Sequence, residues 1–529
     1  MSTPSGVKGE ELEALRLRVQ TRQLYDSDFA VLTKLIAMVQ TLATLLERKK
    51  ASIARLRKML FGTRSEKSAT VVSSLAPASR HGQREGPPAK GHGRHGAEAY
   101  WGARRVEVPH TEMKSGERCP ECGNGNLYRL KKPSPVIWLE GKAPVQATVY
   151  DCEMLRCSGC GKVFTAQAPS DASQKKYDES VGSVVALLRY GNGLPFFRLQ
   201  QLQRSMGVPL PASVQWQLVK QKAQSLKPVH EALCRDAAQA ELMRVDDTTM
   251  TILQRDGGRN TLPEHPVQNP EKKMTRTTAI VASSLDRQSV IYTTGGSQAG
   301  DNMDRLLAQR SAAQPAPIQM CDGLSANLPK RFQVILANCL AHARRRFVDL
   351  AQPFPREVEL VLYVFQCIYA NEEEAMRAEL AAQQRLEFHQ LRSAFLMEGL
   401  FDWMHGQFSS KRVEPNSQLG EAFLYMIKHR EPLTLFLRVA NAPLDNNLCE
   451  RILKRAILHR KNSLFYKTCT GAEVGDLLMS VISTCTMNGV NPLEYLTDVE
   501  RHTAEVAQDL ESWLPWNYAV KPPSKAQPP

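Results

Sequence analysis

Residues 10–61 carry apolar side chains at the spacing of one long helix. Leu35 and Leu42 occupy one position of a seven-residue repeat, and Val31 and Met38 occupy its other apolar position. A repeat of this kind, kept over several heptads, is typical of helices that wind around one another. The pattern predicts a coiled-coil helix that multimerises the chain, with a helix packed on its own protein as the alternative.

Two segments show no apolar periodicity. Residues 62–105 are rich in Ser, Gly, Pro, Arg and His, a composition that predicts a flexible basic linker acting mainly as a tether. Residues 515–529 are rich in Pro and Lys, and we expect them to form a disordered tail.

Helical spacing returns over 178–228, in three short stretches separated by GNGLP and GVPLP. The stretches are 181–190, 196–206 and 212–224. Three short helices with two tight turns predict a helix-turn-helix-like DNA-binding module. Gln215, Gln217 and Lys220 would face a groove of DNA in that arrangement. A packed three-helix module without DNA contact is the alternative.

Period-two patterns begin near residue 238, and the segment 238–500 predicts an α/β domain. The first strand signal, ELMRVDDTTMTIL, contains Asp246, although acidic residues are unusual in a β-rich run. A later strand signal ends just before Asp322. This order of strands and helices favours a sheet with an acid at the end of each of two strands. Residues 352–438 predict a helical insertion within the domain.

The most informative stretch, 443–467, reads PLDNNLCERILKRAILHRKNSLFYK. Apolar residues after Asn447 recur at helical spacing and predict a helix with Glu450 near its start. A basic run follows on the helix: Arg451, Lys454, Arg455, Arg460 and Lys461. A carboxylate among cations suits a site where a metal and a phosphate backbone meet. The alternative is a capping box between Asn447 and Glu450 followed by a solvated basic face.

Two pairs of cysteines have the spacing of metal ligands. CPEC places Cys119 and Cys122 in one tight turn, and CSGC places Cys157 and Cys160 in another. Two C-x-x-C pairs complete a tetrahedral zinc site. We therefore expect a zinc-binding module over 106–172 that holds one structural Zn²⁺, with a redox-active pair as the weaker alternative.

The composition narrows the class of protein. The chain has 529 residues, enough for three or four domains, with 42% hydrophobic and 23% charged residues. A formal net charge of +14 favours a polyanionic partner, most plausibly nucleic acid. We found neither an apolar signal core nor an apolar run long enough to span a bilayer. A cytoplasmic protein without a membrane association is therefore expected.

Several ordered motifs resemble those of the insertion-sequence-sixty-six family of transposases. They are LRKMLFGTRSEK, CPEC, CSGC, GLPFFRLQQL, VDDT, CDG, CLAHARRRF, LDNNLCER, RKNSLF and NGVNPLEYL. The resemblance implies a DDE transposase of bacterial origin with an RNase H-like catalytic domain. Its implied catalytic acids are Asp246, Asp322 and Glu450, which would hold two Mg²⁺ ions. Where the family usually has Asp-Glu-Thr, this chain has Asp-Asp-Thr, so Asp247 is the alternative ligand.

The expected fold is thus multidomain α/β, with the coiled-coil helix, the zinc-binding module and the helix-turn-helix-like module preceding the catalytic domain. The expected function is to bind the ends of a mobile element and to perform strand cleavage and strand transfer. The resemblance also implies double-stranded DNA as partner, and small accessory proteins encoded by the same element. Cys339 and His342 form a C-x-x-H step, for which we expect a structural or DNA-contact role. Two alternatives remain: a non-enzymatic zinc and helix-turn-helix DNA-binding regulator, and a nuclease of the same fold without strand transfer.

Overall fold

The structure is a computed structural model that describes Arg18 and residues 115–118, 126, 142–156, 163–167, 176–254, 275–284 and 286–518. Apart from Arg18, the predicted coiled coil over 10–61 lies outside the described residues, as does the linker over 62–105. The four predicted zinc ligands also lie outside them. The described chain divides into two compact units. The sheet unit comprises Ala78–Leu336 and Asn446–Pro529, and the helical unit is described over Ala337–Asp445.

The strands are numbered in chain order. They are β1 (Met154–Arg156), β2 (Val163–Thr165), β3 (Leu242–Met250), β4 (Ile252–Gln254), β5 (Thr275–Ser283), β6 (Gln288–Gly295), β7 (Ile318–Cys321), β8 (Ile335–Asn338) and β9 (Tyr466–Thr468).

The helices are numbered in the same way. They are α1 (Glu179–Ala186), α2 (Phe196–Ser205), α3 (Ala212–Gln239), α4 (Ala299–Leu307), α5 (Leu340–Val348), α6 (Pro355–Arg377), α7 (Ala382–Arg392), α8 (Ala394–Ser409), α9 (Gln418–Lys428), α10 (Arg430–Leu433), α11 (Asn447–Ser463), α12 (Cys469–Met487), α13 (Pro492–Arg501), α14 (Thr503–Gln508) and α15 (Pro515–Tyr518). A π-helical turn, Leu187–Gly191, continues α1.

Among the described residues, the main sheet has five strands in the order β6-β5-β3-β7-β8. β3, β5 and β6 form an antiparallel meander, and β7 pairs parallel to β3. The parallel pairing requires a crossover, and α4 supplies it between β6 and β7. β5 is buried along most of its length. The core of the sheet unit lies between the sheet and the helices that pack on it. The fold is therefore mixed α/β.

Helix α3 is longer than the sequence pattern predicts. It continues through Pro228 to Gln239, and its second half buries Val229 and Leu233 in the core of the sheet unit. The helix therefore extends past the predicted end of the module at residue 228, because apolar residues at helical spacing continue on the far side of the proline. The three helices over 178–228 pack as one body with the sheet.

The predicted groove-facing role of Gln215 is also wrong. Its side chain is fully buried, and Nε2 donates hydrogen bonds to the carbonyl oxygens of Phe196 (3.2 Å) and Leu210 (2.8 Å). Gln215 thus fixes the turn that joins α2 to α3. Gln217 and Lys220 lie on the exposed side of α3.

Helix α12 covers the edge strand β6 with a row of polar side chains spaced four residues apart. Four helical residues rise about 6.0 Å and two strand residues about 6.6 Å, so each side chain meets every second backbone N–H. The acceptors and the donating N–H groups are Asp476 with Thr294 (2.6 Å), Ser480 with Tyr292 (2.9 Å), Thr484 with Val290 (3.0 Å) and Asn488 with Gln288 (3.1 Å). The outer N–H groups of β6 are therefore bonded although no strand pairs with that edge in the described chain.

The helical unit contains α5–α10, and residues 352–438, predicted as a helical insertion, lie within it. Phe347, Phe365 and Phe423 form its aromatic core. In the described residues no helix is both long enough and apolar enough to cross a bilayer.

The predicted disordered tail begins too early. Pro515–Tyr518 form the short helix α15, and the Tyr518 hydroxyl donates a hydrogen bond to Asp498 at 2.7 Å. The ring of Tyr518 also packs edge-on against Tyr495. These aromatic contacts order the first residues of the segment, whereas 519–529 lie outside the described residues.

Candidate active site

Two of the predicted acids lie on neighbouring parallel strands, Asp322 directly after the end of β7 and Asp246 in the middle of β3, not at its end as predicted. Arg244 of β3 pairs with Met320 of β7. Two residues further along each strand, Asp246 and Asp322 reach the same level of the sheet, because paired parallel strands advance together. Asp246 lies within β3, and Asp322 follows the last residue of β7.

Helix α11 brings the third acid to these strands. Its first turn is fixed by Asn446, which is buried and whose Nδ2 donates a hydrogen bond to the Val245 carbonyl at 2.9 Å. The buried Cys449 thiol contacts the carbonyl of Ala279 at 3.4 Å, and Ala279 is the β5 partner of Asp246. Glu450 follows directly, so the helix start is held beside the acid of β3.

The predicted capping box does not describe the start of α11. The residue at the N-cap is Asn446, and its side chain caps no amide of the helix. That side chain turns instead to β3. An asparagine directly before a helix is the sequence signal for a cap and also for this contact with β3. The sequence alone therefore does not distinguish a capping asparagine from one that bonds a neighbouring strand.

The three carboxylates interact electrostatically. Burial raises the pKa of Asp246 to about 7, and the negative charges of Asp322 and Glu450 add to the increase. A hydrogen bond from the Asp247 N–H to Asp246 Oδ1, at 2.8 Å, acts in the opposite direction. Like charges gathered in a partly buried site favour either a proton or a bound cation.

Asp247 is engaged elsewhere. Its carboxylate forms a salt bridge of 2.9 Å with Arg276 of β5, and its side chain is 14% exposed. Adjacent residues of a strand point to opposite faces of the sheet, so Asp246 and Asp247 face different sides. This geometry favours Asp246 over Asp247 as the residue that acts together with Asp322 and Glu450.

A neighbour of Asp322 was not found from the sequence. The side-chain amide of the buried Asn327 donates a hydrogen bond to Asp322, and the Leu324 N–H lies 3.3 Å from the same oxygen. Asn327 belongs to a 3-10 turn, Ser325–Asn327. The turn holds the carboxylate that follows β7, and no local sequence pattern marks it.

The basic residues of α11 separate into two groups. Arg451, Lys454 and Lys461 are exposed. Arg455 instead donates a hydrogen bond to Ser483 of α12 at 2.5 Å, and burial lowers its pKa. Arg460 donates to the hydroxyl of Thr248 (2.9 Å) and the carbonyl of Thr249 (2.7 Å) in β3.

The phosphate contacts expected of Arg455 and Arg460 stay predictions, since within the described chain each bonds protein oxygens through one guanidinium nitrogen only. Both guanidinium groups already bond protein oxygens, because their positions on the helix face α12 and β3. Together with Asn446, Arg460 attaches α11 to β3 at two points, one on each side of Glu450 in the chain. The sequence shows that these residues are basic but not which way they point.

The three acids together suit a hard divalent cation. All three candidate ligands are carboxylates from separate elements, and Mg²⁺ prefers oxygen ligands of this kind. Burial is the main cause of the raised pKa of Asp246, and the charges of the two neighbouring acids add to it.

The sequence profile of the Transposase IS66 family matches residues 175–474, more than half of the chain. The chain belongs to the IS66 transposase family. The match spans both described units and includes all three candidate acids. Membership implies, at a coarse level, the nuclease or transferase chemistry of DDE transposases and the divalent metal such enzymes generally use.

Curated relatives come from Sinorhizobium fredii (strain NBRC 101917 / NGR234). Uncharacterized protein y4jD is 24% identical over 521 residues, which are 91% of this chain and 96% of that protein. Uncharacterized protein y4qI is 26% identical over 359 residues, which are 64% of this chain and 62% of that protein. The chain therefore spans less than two thirds of y4qI and almost all of y4jD.

Among solved structures, the Mos1 strand transfer complex is similar at 12% identity. The match covers 30% of this chain and 55% of that chain, with a TM-score of 0.10. The Mos1 transposase paired-end complex with left transposon end gives 13% identity and the same TM-score. Scores this low support no argument about the fold.

Cys339 and His342 lie in the helical unit. Cys339 is the buried residue at the N-cap of α5, and His342 is half-buried with Nε2 3.3 Å from a guanidinium nitrogen of Arg345. A structural or DNA-contact role for this pair stays a prediction.

Proposed function

We propose that this IS66-family chain binds the ends of a mobile DNA element and performs metal-dependent strand cleavage and strand transfer. The observation that carries the proposal is the meeting of Asp246, Asp322 and Glu450, because the negative charges of the other two acids add to burial in raising the pKa of Asp246 to about 7. Family membership supports the same class of chemistry.

We further assign the catalytic domain to the RNase H-like class. The support is a three-stranded antiparallel meander followed by a parallel strand. The acids lie on the first strand of the meander, directly after the parallel strand, and in the first turns of a later helix.

The catalytic role proposed for the acids follows from phosphodiester chemistry. Two bound Mg²⁺ ions would supply an activated attacking oxygen and stabilise the leaving oxygen in an in-line displacement at phosphorus. Asp246, Asp322 and Glu450 would hold them. A carboxyl group with a pKa near 7 releases its proton readily when a cation binds. Asn446 and Asn327 would keep two of the three carboxylates in place.

The exposed cations of α11 would hold the DNA. Arg451, Lys454 and Lys461 are accessible on the helix that carries Glu450. Each neutralised phosphate releases condensed counterions, so these contacts would make binding salt-dependent and independent of sequence. They would place the DNA backbone beside the acids.

The remaining parts of the proposal rest on the sequence. They comprise one Zn²⁺ held by Cys119, Cys122, Cys157 and Cys160, and homo-oligomerisation through 10–61. Double-stranded DNA of the element ends and of the target would be the substrate. Small accessory proteins of the same element would be further partners.

The test is strand cleavage and joining on labelled element-end DNA with Mg²⁺. Glu450→Gln and Asp246→Asn should each lower the cleavage rate about a thousand-fold or more, equal to ~4 kcal/mol of transition-state stabilisation. Asp247→Asn is the matched control and should retain most of the activity, because Asp247 pairs with Arg276.

Each product pattern has a distinct meaning. Joined strands support the transposase, whereas nicks alone indicate a nuclease of the same fold. DNA binding without cleavage, even with the accessory proteins added, would indicate a DNA-binding regulator. Full cleavage by Glu450→Gln would refute the assignment of the third acid.

A further inference from the structure

The turn that follows α11 projects two apolar side chains into solvent. Leu464 is 66% exposed and Phe465 is 38% exposed. They stand directly after the basic helix that carries Glu450. We refer to Leu464 and Phe465 as the apolar tip.

The backbone of the apolar tip is strained. Leu464 has φ 68° and ψ −43°, and the Phe465 N–H donates to the Ser463 carbonyl at 2.8 Å. This bond closes a γ-turn of the rare type with positive φ. A leucine pays a steric penalty there that glycine would avoid. Strain of this kind, kept in an exposed leucine, points to a role for the side chain itself.

The tip is held rigidly on both sides. Before it, the Asn462 side chain donates to the Gly193 carbonyl at 3.0 Å, and Ser463 accepts a hydrogen bond from Arg189. After it, the Tyr466 N–H donates to the Thr251 carbonyl at 2.8 Å. The buried ring of Tyr466 stacks on His459, with centroids 4.5 Å apart. The tip therefore presents its side chains in a fixed position.

The surroundings of the tip are basic and apolar. Ile252 of β4 pairs with Tyr466 of β9, and both are buried. The alternation of side chains then places Leu253, which is 56% exposed, on the same outer face as Phe465 and Lys467. No acidic residue occurs in the chain from Arg451 to Lys467.

Resting on the proposed function, we propose that the apolar tip contacts an unstacked base of the DNA that α11 holds by its phosphates. The cations favour a polyanion, and an exposed apolar side chain among cations matches a partner with both phosphates and flat apolar rings. Proteins that bend or open DNA use apolar side chains in this way. Aromatic side chains stack on bases with little regard to sequence.

The geometry gives the approximate location of that base. Leu464 lies 14 residues after Glu450. At 1.5 Å per residue this is ~21 Å along the helix, or about 6 base pairs at 3.4 Å each. The contacted base is thus expected within about 6 base pairs of the phosphate at the acids, the full distance applying where the helix runs along the DNA.

The experiment compares two DNA probes that bind the full-length chain without added Mg²⁺. One is a short duplex, and the other is the same duplex with a mismatched, unpaired segment. The native chain should bind the unpaired probe at least about five-fold more tightly, the lower limit for one stacked base. A 2-aminopurine base moved along the duplex should brighten most at one position within about 6 base pairs of the phosphate at the acids.

Two tip variants and one control complete the design. Leu464→Gly and Phe465→Ala should each lose the preference for unpaired DNA and keep the affinity for the duplex. Leu464→Gly relieves the positive φ, so its melting temperature should equal or exceed that of the native chain. Lys461→Ala should weaken binding of both probes equally and reduce the salt dependence by about one charge.

The outcomes separate the two proposals. An unchanged preference in both tip variants overturns the inference, and the proposed function stands if cleavage persists. A lower melting temperature for Leu464→Gly would make the leucine structural and overturn it as well. Loss of self-association in place of the DNA preference would assign the tip to a protein contact. No DNA binding by the native chain would remove the proposed function together with the inference.

Discussion

Replacing Asp476 by asparagine should stabilise the sheet unit at neutral and alkaline pH. The Asp476 carboxyl is buried at the start of the row that covers β6. It accepts hydrogen bonds from the N–H and the hydroxyl of Thr294, both at 2.6 Å. Burial raises its pKa from 3.8 to about 7, although these hydrogen bonds lower it. Asparagine has the same shape and resembles the protonated acid.

The magnitude follows from the difference in pKa between the folded and unfolded chain. The folded state holds the proton more tightly, so the stabilisation by the protonated acid is complete below pH 3.8. It is lost as the pH rises through about 7. The rise in pKa from 3.8 to about 7, at 1.36 kcal/mol per pH unit, gives an upper limit of ~4 kcal/mol for this contribution to the free energy of unfolding. Asparagine cannot ionise and should keep this stabilisation at every pH.

The assay is thermal melting of the native chain and of Asp476→Asn from pH 4 to pH 8. The two should melt together at pH 4, and the variant should melt up to ~8 °C higher at pH 8, at about 2 °C per kcal/mol. Ser480→Ala removes a neighbouring, non-titrating bond and should lower the melting temperature equally at both pH values. A variant less stable than the native chain at pH 8 would show that the hydrogen bonds of the anion outweigh its burial, and would refute the reasoning.

Three further substitutions test other contacts. Asn446→Ala should lower the free energy of unfolding by about 1–3 kcal/mol, as for other buried hydrogen bonds. It should also raise the Mg²⁺ concentration needed for half-maximal cleavage, and an unchanged concentration would show that Asn446 does not position Glu450. Gly475→Ala places a methyl group 2.9 Å from a ring carbon of the buried Tyr466. Thermal melting should therefore show a loss of stability of about 1–3 kcal/mol, and an unchanged melting temperature would mean that the ring moves aside. Lys454→Ala should lower the slope of log DNA affinity against log salt concentration by about one, whereas Arg455→Met should lower the melting temperature. The reverse pattern would show that Arg455 contacts DNA and that Lys454 stabilises the fold.

The parts of the site that depend on periodicity could be predicted from the sequence. Helix α11 begins at Asn447, where the apolar spacing starts. The strand signal around Asp246 corresponds to β3, and the signal before Asp322 corresponds to β7. In each case a regular alternation of apolar and polar residues determines the element, because one side faces the core.

The directions of individual polar side chains could not be predicted in this way. Gln215 and Arg455 look like surface residues in the sequence, but each donates a hydrogen bond to a buried residue. Gln215 bonds the carbonyl of Leu210, and Arg455 bonds the hydroxyl of Ser483 on another helix. Asn446, which fixes the helix that carries Glu450, bonds the distant strand β3, and Asn327 reaches Asp322 only because the chain turns at Ser325–Asn327. Such contacts leave no local pattern, so only the folded structure identifies them.

The polar row on α12 also limits how copies of this protein can associate. An uncovered edge strand offers its N–H and C=O groups to the strand of any neighbouring chain, and so seeds aggregates. Here the outer N–H groups of β6 are occupied by side chains from the same molecule. A second copy of this protein could therefore not extend the sheet through the N–H groups of β6, so contact between copies along this edge would have to use side chains.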